Sequence, residues 1–129
     1  MISDDSGQTR LAVRPHREDV DRRNVVLVWD GVEFASLSAP NDEAISGHRL
    51  WRAGLNDVLW LGLVEGSELI AGLERQNSVH PYHDPRRYEF LNHYIAPLKE
   101  CVAEVVARSV AIHRRDGSTL ESAVAPTAD

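Results

Sequence analysis

The chain has 129 residues, 43% of them apolar and 26% charged, with a formal net charge of −6. That length and apolar share suit one folded domain with a single core and exclude a disordered chain. The acidic balance repels a phosphate backbone, and no basic stripe with interleaved aromatics offsets it. Nucleic acid is therefore not an expected partner.

No run approaches roughly 18 apolar residues, so no membrane partner is expected. The first residues, Met1-Ile2-Ser3-Asp4-Asp5, lack the basic and apolar regions of a signal peptide, and a cytoplasmic location is expected. Cys101 is the single cysteine, which leaves no internal disulfide and no cysteine-based zinc site. Its neighbours Val102, Ala103, Val105 and Val106 suggest a buried, inert thiol. One lysine, Lys99, stands against thirteen arginines, which together with abundant Ala, Val and Asp points to a GC-rich bacterial genome.

Taken along the chain, residues 1–22 are polar with charges of both signs and read as a disordered leader. Residues 116–129 read as a disordered tail, leaving 23–115 as a single α+β domain. Val25-Val26-Leu27-Val28-Trp29, then Asp30-Gly31, then Val32-Glu33-Phe34-Ala35-Ser36-Leu37 predicts a β-hairpin closed by a type I′ turn. Asn41 can cap a short helical turn that ends at Gly47. Val58–Val64 is nearly all apolar and suits a strand buried on both faces, with Trp60 in the core. Ser67 can cap a helix from Glu68 to about Gln76. Asp84 followed by Pro85 is an N-cap with proline at the first helical position.

Residues 98–113 fit two periods. As a helix they place Leu98, Val102, Val105 and Ile112 on one face, with Glu100, Glu104 and Arg108 on the other. As a strand they alternate Val102, Glu104, Val106 and Arg108 against small alanines.

Pro40-Asn41-Asp42-Glu43-Ala44, Gly47-His48, Leu73-Glu74, Asn77, His80-Pro81, His83-Asp84-Pro85, Leu91 and His93 form a further pattern. In these residues the chain resembles a group of small bacterial proteins that have no assigned function. The resemblance covers about residues 29–112. It implies a hairpin with strands at about 91–97 and 101–113, and it brings no activity with it. The expected fold is α+β: a curved, mostly antiparallel sheet of about five strands with two or three short helices.

The densest chemistry lies at His80-Pro81-Tyr82-His83-Asp84-Pro85-Arg86-Arg87. His80 and His83, with Asp84 adjacent and His93 further on, could ligate a divalent transition metal such as zinc, iron or nickel. His48 is a possible fourth contributor. The plainer reading is a loop stiffened by two prolines, with Asp84 as a helix cap. His80 or His83 with Asp84, or His48 with Asp42 or Glu43, could form an acid–base dyad. The candidate catalytic set is thus His80, His83, Asp84 and His48.

Asn41, Asp42 and Glu43 do not match a calcium loop and suit helix capping, although they could also touch a ligand. Trp51 and Tyr82 lie beside polar loops and could line a pocket, as could His93. Arg86 and Arg87 at a helix start need an anionic answer, from Glu74, Glu89 or a carboxylate ligand. No phosphate loop, dinucleotide fingerprint or serine elbow appears.

These features favour a small-molecule-binding or accessory protein, expected as a homodimer. A small metal- or histidine-dependent enzyme built on His80, His83 and Asp84 is the first alternative. A protein-interaction module is the second.

Overall fold

The computed structural model describes residues 1–125. In chain order the elements are β1 (Ile2–Ser3), β2 (Thr9–Val13), β3 (Asn24–Asp30), β4 (Phe34–Ser38), β5 (Gly62–Val64), α1 (Glu68–Asn77), β6 (Asn92–Pro97), β7 (Val102–Ala107), β8 (Ser109–Arg115) and α2 (Thr119–Val124). Short 3-10 helices occupy Ile45–Gly47, Leu55–Asp57 and Pro85–Phe90. The fold is α+β and antiparallel throughout, as the sequence suggests. The strands divide into two four-stranded sheets, not one sheet of five. The described residues correspondingly form two compact units, 1–32 with 109–125, and 33–108. Residues 23–115, read as one domain from the sequence, contribute to both units.

In the first unit the strand order is β1-β2-β3-β8. The segment expected to be a disordered leader supplies β1 and β2. Leu11 lies opposite Leu27, and Thr9 opposite Trp29. Both Thr9 and Leu11 are buried. The polar composition of residues 1–22 hid a five-residue alternation, Thr9-Arg10-Leu11-Ala12-Val13, which is long enough to pair with a strand buried on both faces.

Part of the expected tail is also ordered. Ser118 caps α2 by accepting from the Glu121 N–H. Asn24 Nδ2 donates to the Gly117 carbonyl at 2.8 Å and to Ser122 Oγ at 3.0 Å, closing a buried polar corner. The remainder of that tail, 126–129, lies outside the described residues.

The expected hairpin of β3 with β4 does not form. Gly31 adopts the positive φ of 65° that Asp-Gly signals. The turn nevertheless hands the chain from one sheet to the other, since Val32 N donates to Gly7 O while Glu33 N donates to Val106 O. β3 pairs with β2 and β8, and β4 pairs with β7. An all-apolar strand such as β3 gains more between two partners than at a hairpin edge beside half-exposed β4.

In the second unit the order is β4-β7-β6-β5. The ambiguity of residues 98–113 resolves to strand. All six residues of β7 are buried, which accounts for a pattern without clean alternation. Arg108 separates β7 from β8, which belongs to the other sheet.

One face of the second sheet carries Ile95 and Val102 together with Leu55. Ile45, Leu50, Trp51, Val58 and Val64 pack against them. Trp51 is therefore a packing residue. The expected strand over 58–64 shrinks to Gly62–Val64 and lies at the sheet edge, paired with β6 alone. Leu59 is 92% exposed and Trp60 53%, so Trp60 is not a core residue. Among the described residues no helix is long and apolar enough to cross a membrane.

The order of the leader has a direct test. Leu11→Ala is expected to destabilise the protein by about 3 kcal/mol, the usual cost of a buried leucine truncation. Denaturant unfolding would show this as a lower midpoint, whereas truncation of a mobile segment would leave the midpoint unchanged.

Candidate functional site

The second sheet carries its charge in its interior. Glu104, on β7, is only 4% exposed, and His93, on β6, only 2%. Ile95 lies opposite Glu104 and Val106 opposite His93, so the two polar residues are diagonal neighbours on one face of the sheet. His93 Nε2 lies 2.8 Å from Glu104 Oε1. Arg49 grips the same carboxylate with two hydrogen bonds, NH1 to Oε2 at 2.8 Å and NH2 to Oε1 at 2.6 Å. His48 Nε2 stands 3.6 Å from Oε2.

On the far side of the ring, His93 Nδ1 lies 2.8 Å from Ser67 Oγ. Ser67 is the N-cap of α1, and its oxygen accepts from the Ile70 N–H at 3.1 Å. Five groups thus form a continuous chain: guanidinium, carboxylate, imidazole, hydroxyl and helix N-terminus.

The protons of this chain follow from its donors. An ionised carboxylate only accepts, so Nε2 of His93 carries a hydrogen and donates to Glu104. In the neutral ring Nδ1 is then an acceptor for the Ser67 hydroxyl, and in the protonated ring it donates to Ser67 Oγ. Burial raises the Glu104 pKa and is the largest single influence. The hydrogen bonds from His93 and Arg49, with their charges, outweigh it and bring the carboxyl from 4.5 down to about 2.

The cluster lies between two cavities that flank α1. One, of about 830 Å³, is lined by the capping Ser67, by Ile70, Ala71 and Glu74 of α1, by Tyr88 of the Pro85–Phe90 helix and by His93. The other, of about 570 Å³, is lined by Arg49, Leu50, Leu55, Leu69 and Ile95, and again by His93. The larger one falls in the size range of small-molecule sites.

No protein-family profile, curated protein or solved structure matches this chain. The functional reading therefore rests on where the side chains stand.

The structure separates the residues expected to act together. His48 and His93 meet at Glu104. His83 forms a second, distinct cluster. Its Nδ1 lies 2.9 Å from Asn77 Nδ2 and its Nε2 lies 3.1 Å from Glu74 Oε1. His80 is exposed, and its Nδ1 accepts from the Tyr82 N–H. Asp84 caps the Pro85–Phe90 helix and pairs with Arg86, whose hydrogen bonds hold its carboxyl below the usual range. Asp84 therefore answers Arg86, and Glu33 lies 4.0 Å from Arg87.

Both ring nitrogens of His83 are engaged. Among the described residues no group of three or more His, Cys, Asp or Glu side chains is arranged to hold a metal ion. His83 staples its loop to α1, and His80 stands exposed beside it. Asn41 caps its turn, with Oδ1 accepting from Ala44 N, while Asp42 and Glu43 remain exposed beside it. Tyr82 is 85% exposed and lines neither cavity.

Three members of the central cluster were not candidates from sequence. Ser67 was visible only as a cap. Glu104 fell on the polar face of a notional helix. Arg49 carried no signal at all. The available clue was an acid inside an apolar run, Val102-Ala103-Glu104-Val105-Val106, which as a buried strand demands a buried partner.

Because the Glu104 carboxyl is held below its unfolded value of 4.5, its stabilisation is complete above that pH and is lost as pH falls toward about 2. The loss is on the order of 3 kcal/mol. Glu104→Gln is expected to be less stable than the wild type at neutral pH and to converge on it in strong acid. Urea midpoints measured down the acid range would record that convergence; parallel curves would contradict it.

Proposed function

We propose that this protein binds a small, largely apolar molecule in the cavity of about 830 Å³ beside α1, where Ser67 and the His93–Glu104 cluster meet a polar atom of the ligand. One observation carries this reading: the buried His93, bound to the buried Glu104 carboxylate, stands with Ser67 at the wall of a ligand-sized cavity. Buried ion pairs are weak contributors to stability compared with apolar packing of the same volume. Perturbed ionisable groups in a cleft are, by contrast, a common mark of a functional site. The apolar part of the lining comes from Leu63, Val64, Ile70, Leu91 and the ring of Tyr88. A few polar groups set in such a wall give orientation, while the wall gives affinity.

The test is a thermal-shift screen with uncharged aryl and alkyl esters and alcohols. A ligand at a hundredfold excess over its Kd stabilises by about 2.7 kcal/mol, a shift of several degrees in a protein of this size. Ala71 is exposed on α1 and faces the cavity. Ala71→Trp is expected to keep the fold and fill the space, so the shift disappears. Failure of every compound with the wild type, or an equal shift in Ala71→Trp, would overturn the reading.

A further inference from the structure

We propose that Ser67 is the nucleophile of an acyl-transfer site, with His93 Nδ1 as its general base, acting on small esters whose acyl group lies along the apolar wall of the cavity. This rests on the cavity being a ligand site and adds a reaction to it.

The hydroxyl is placed for that role. Ser67 lines the larger cavity and is partly exposed, while its partner His93 is buried behind it. A capping serine needs only to accept from a backbone N–H, and Ser67 does so with Ile70. Its Oγ also lies 2.8 Å from His93 Nδ1, which in the neutral ring accepts the hydroxyl hydrogen. That imidazole cannot turn away, because Glu104 holds its other nitrogen at 2.8 Å. The geometry is that of an activated hydroxyl: a nucleophile within reach of a base, and the base oriented by a third group. The ring presents Nδ1 to the hydroxyl and Nε2 to the acid. Either nitrogen of a neutral imidazole can serve as the acceptor.

The position in the chain adds to this. β5 ends at Val64, Glu65-Gly66 turns, and α1 begins directly after Ser67. The serine therefore stands at the positive end of a ten-residue helix. The first N–H groups of a helix have no intrahelical acceptor, so those of Glu68 and Leu69 remain as donors for a developing oxyanion.

In the reaction, Ser67 Oγ attacks the ester carbonyl carbon, and the carbonyl π pair moves to its oxygen. The hydroxyl proton passes to His93 Nδ1. Collapse of the tetrahedral adduct breaks the bond to the alkoxide, which leaves as the alcohol with that proton. Water then attacks the acyl-serine with the same base, and the acid and the free hydroxyl result. The balance is ester plus water to acid plus alcohol, with no other reactant.

The experiment uses the full chain, an alkyl fluorophosphonate and p-nitrophenyl butyrate. One phosphonyl adduct is expected by intact mass, mapped to the peptide containing Ser67. Ser67→Asn retains the cap. It should therefore melt near the wild-type temperature while losing the adduct and at least about a hundredfold in kcat/KM. Ala71→Trp should block both reactions. Absence of the adduct in the wild type, or hydrolysis unchanged in Ser67→Asn, would overturn the proposal. If ligands still shift the wild type and not Ala71→Trp, the cavity survives as a binding site and Ser67 is a cap alone. If that shift is absent as well, both readings fall together.

Discussion

The burial of the Glu104 carboxylate is the constraint on which the second unit depends. A carboxylate taken out of water loses several kcal/mol of hydration unless every acceptor position is answered. Here the answers come from two separate parts of the chain. His93 is supplied by the neighbouring strand, and Arg49 and His48 by the segment that follows the Ile45–Gly47 turn. Leu55, in that same segment, then enters the core with Ile95 and Val102. Arg49 spans two environments. Its side chain is 57% exposed, while the acid it grips is buried. A guanidinium suits this position, because its rigid fork gives two parallel hydrogen bonds and it tolerates partial dehydration better than an ammonium.

The same principle explains how α1 is held. No residue of the helix is buried, so apolar packing alone cannot fix it against the sheet. An imidazole holds it near each end instead. His93 meets Ser67 at the N-terminus, and His83 meets Glu74 and Asn77 near the C-terminus. The two histidines thus do related work in different surroundings. His83 ties a proline-braced loop to the helix. His93 ties the helix to a buried acid, and only that second tie opens on both cavities.

Much of this was legible from short-range signals. The Ser67 cap, the Asp84-Pro85 helix start and the Asn41 turn all depend on a few adjacent residues, and all are present. The errors lie where distant segments meet. Asp30-Gly31 makes its turn, but β3 on one side pairs with β2 and β8 while β4 on the other pairs with β7. The charges of residues 1–22 mask a strand, because Thr9 and Leu11 need only one face to be buried. The histidine-rich loop drew attention because its groups are consecutive. The cluster that gathers at a cavity is spread over Arg49, Ser67, His93 and Glu104, and no spacing rule joins those four before β6 and β7 are in register.

Register decides more than pairing here. A shift of one residue between β6 and β7 would turn Glu104 to the face carrying Tyr94 and away from that of His93. The carboxylate would then be buried with no ring nitrogen beside it. The hydrogen-bonded cluster therefore penalises wrong pairings that an alternation-free run such as Val102–Ala107 would otherwise tolerate. This is a role in specificity, separate from any contribution to stability. It also ties geometry to chemistry. The pairing that sets His93 beside Glu104 also leaves its Nδ1 2.8 Å from the Ser67 hydroxyl at the cavity wall.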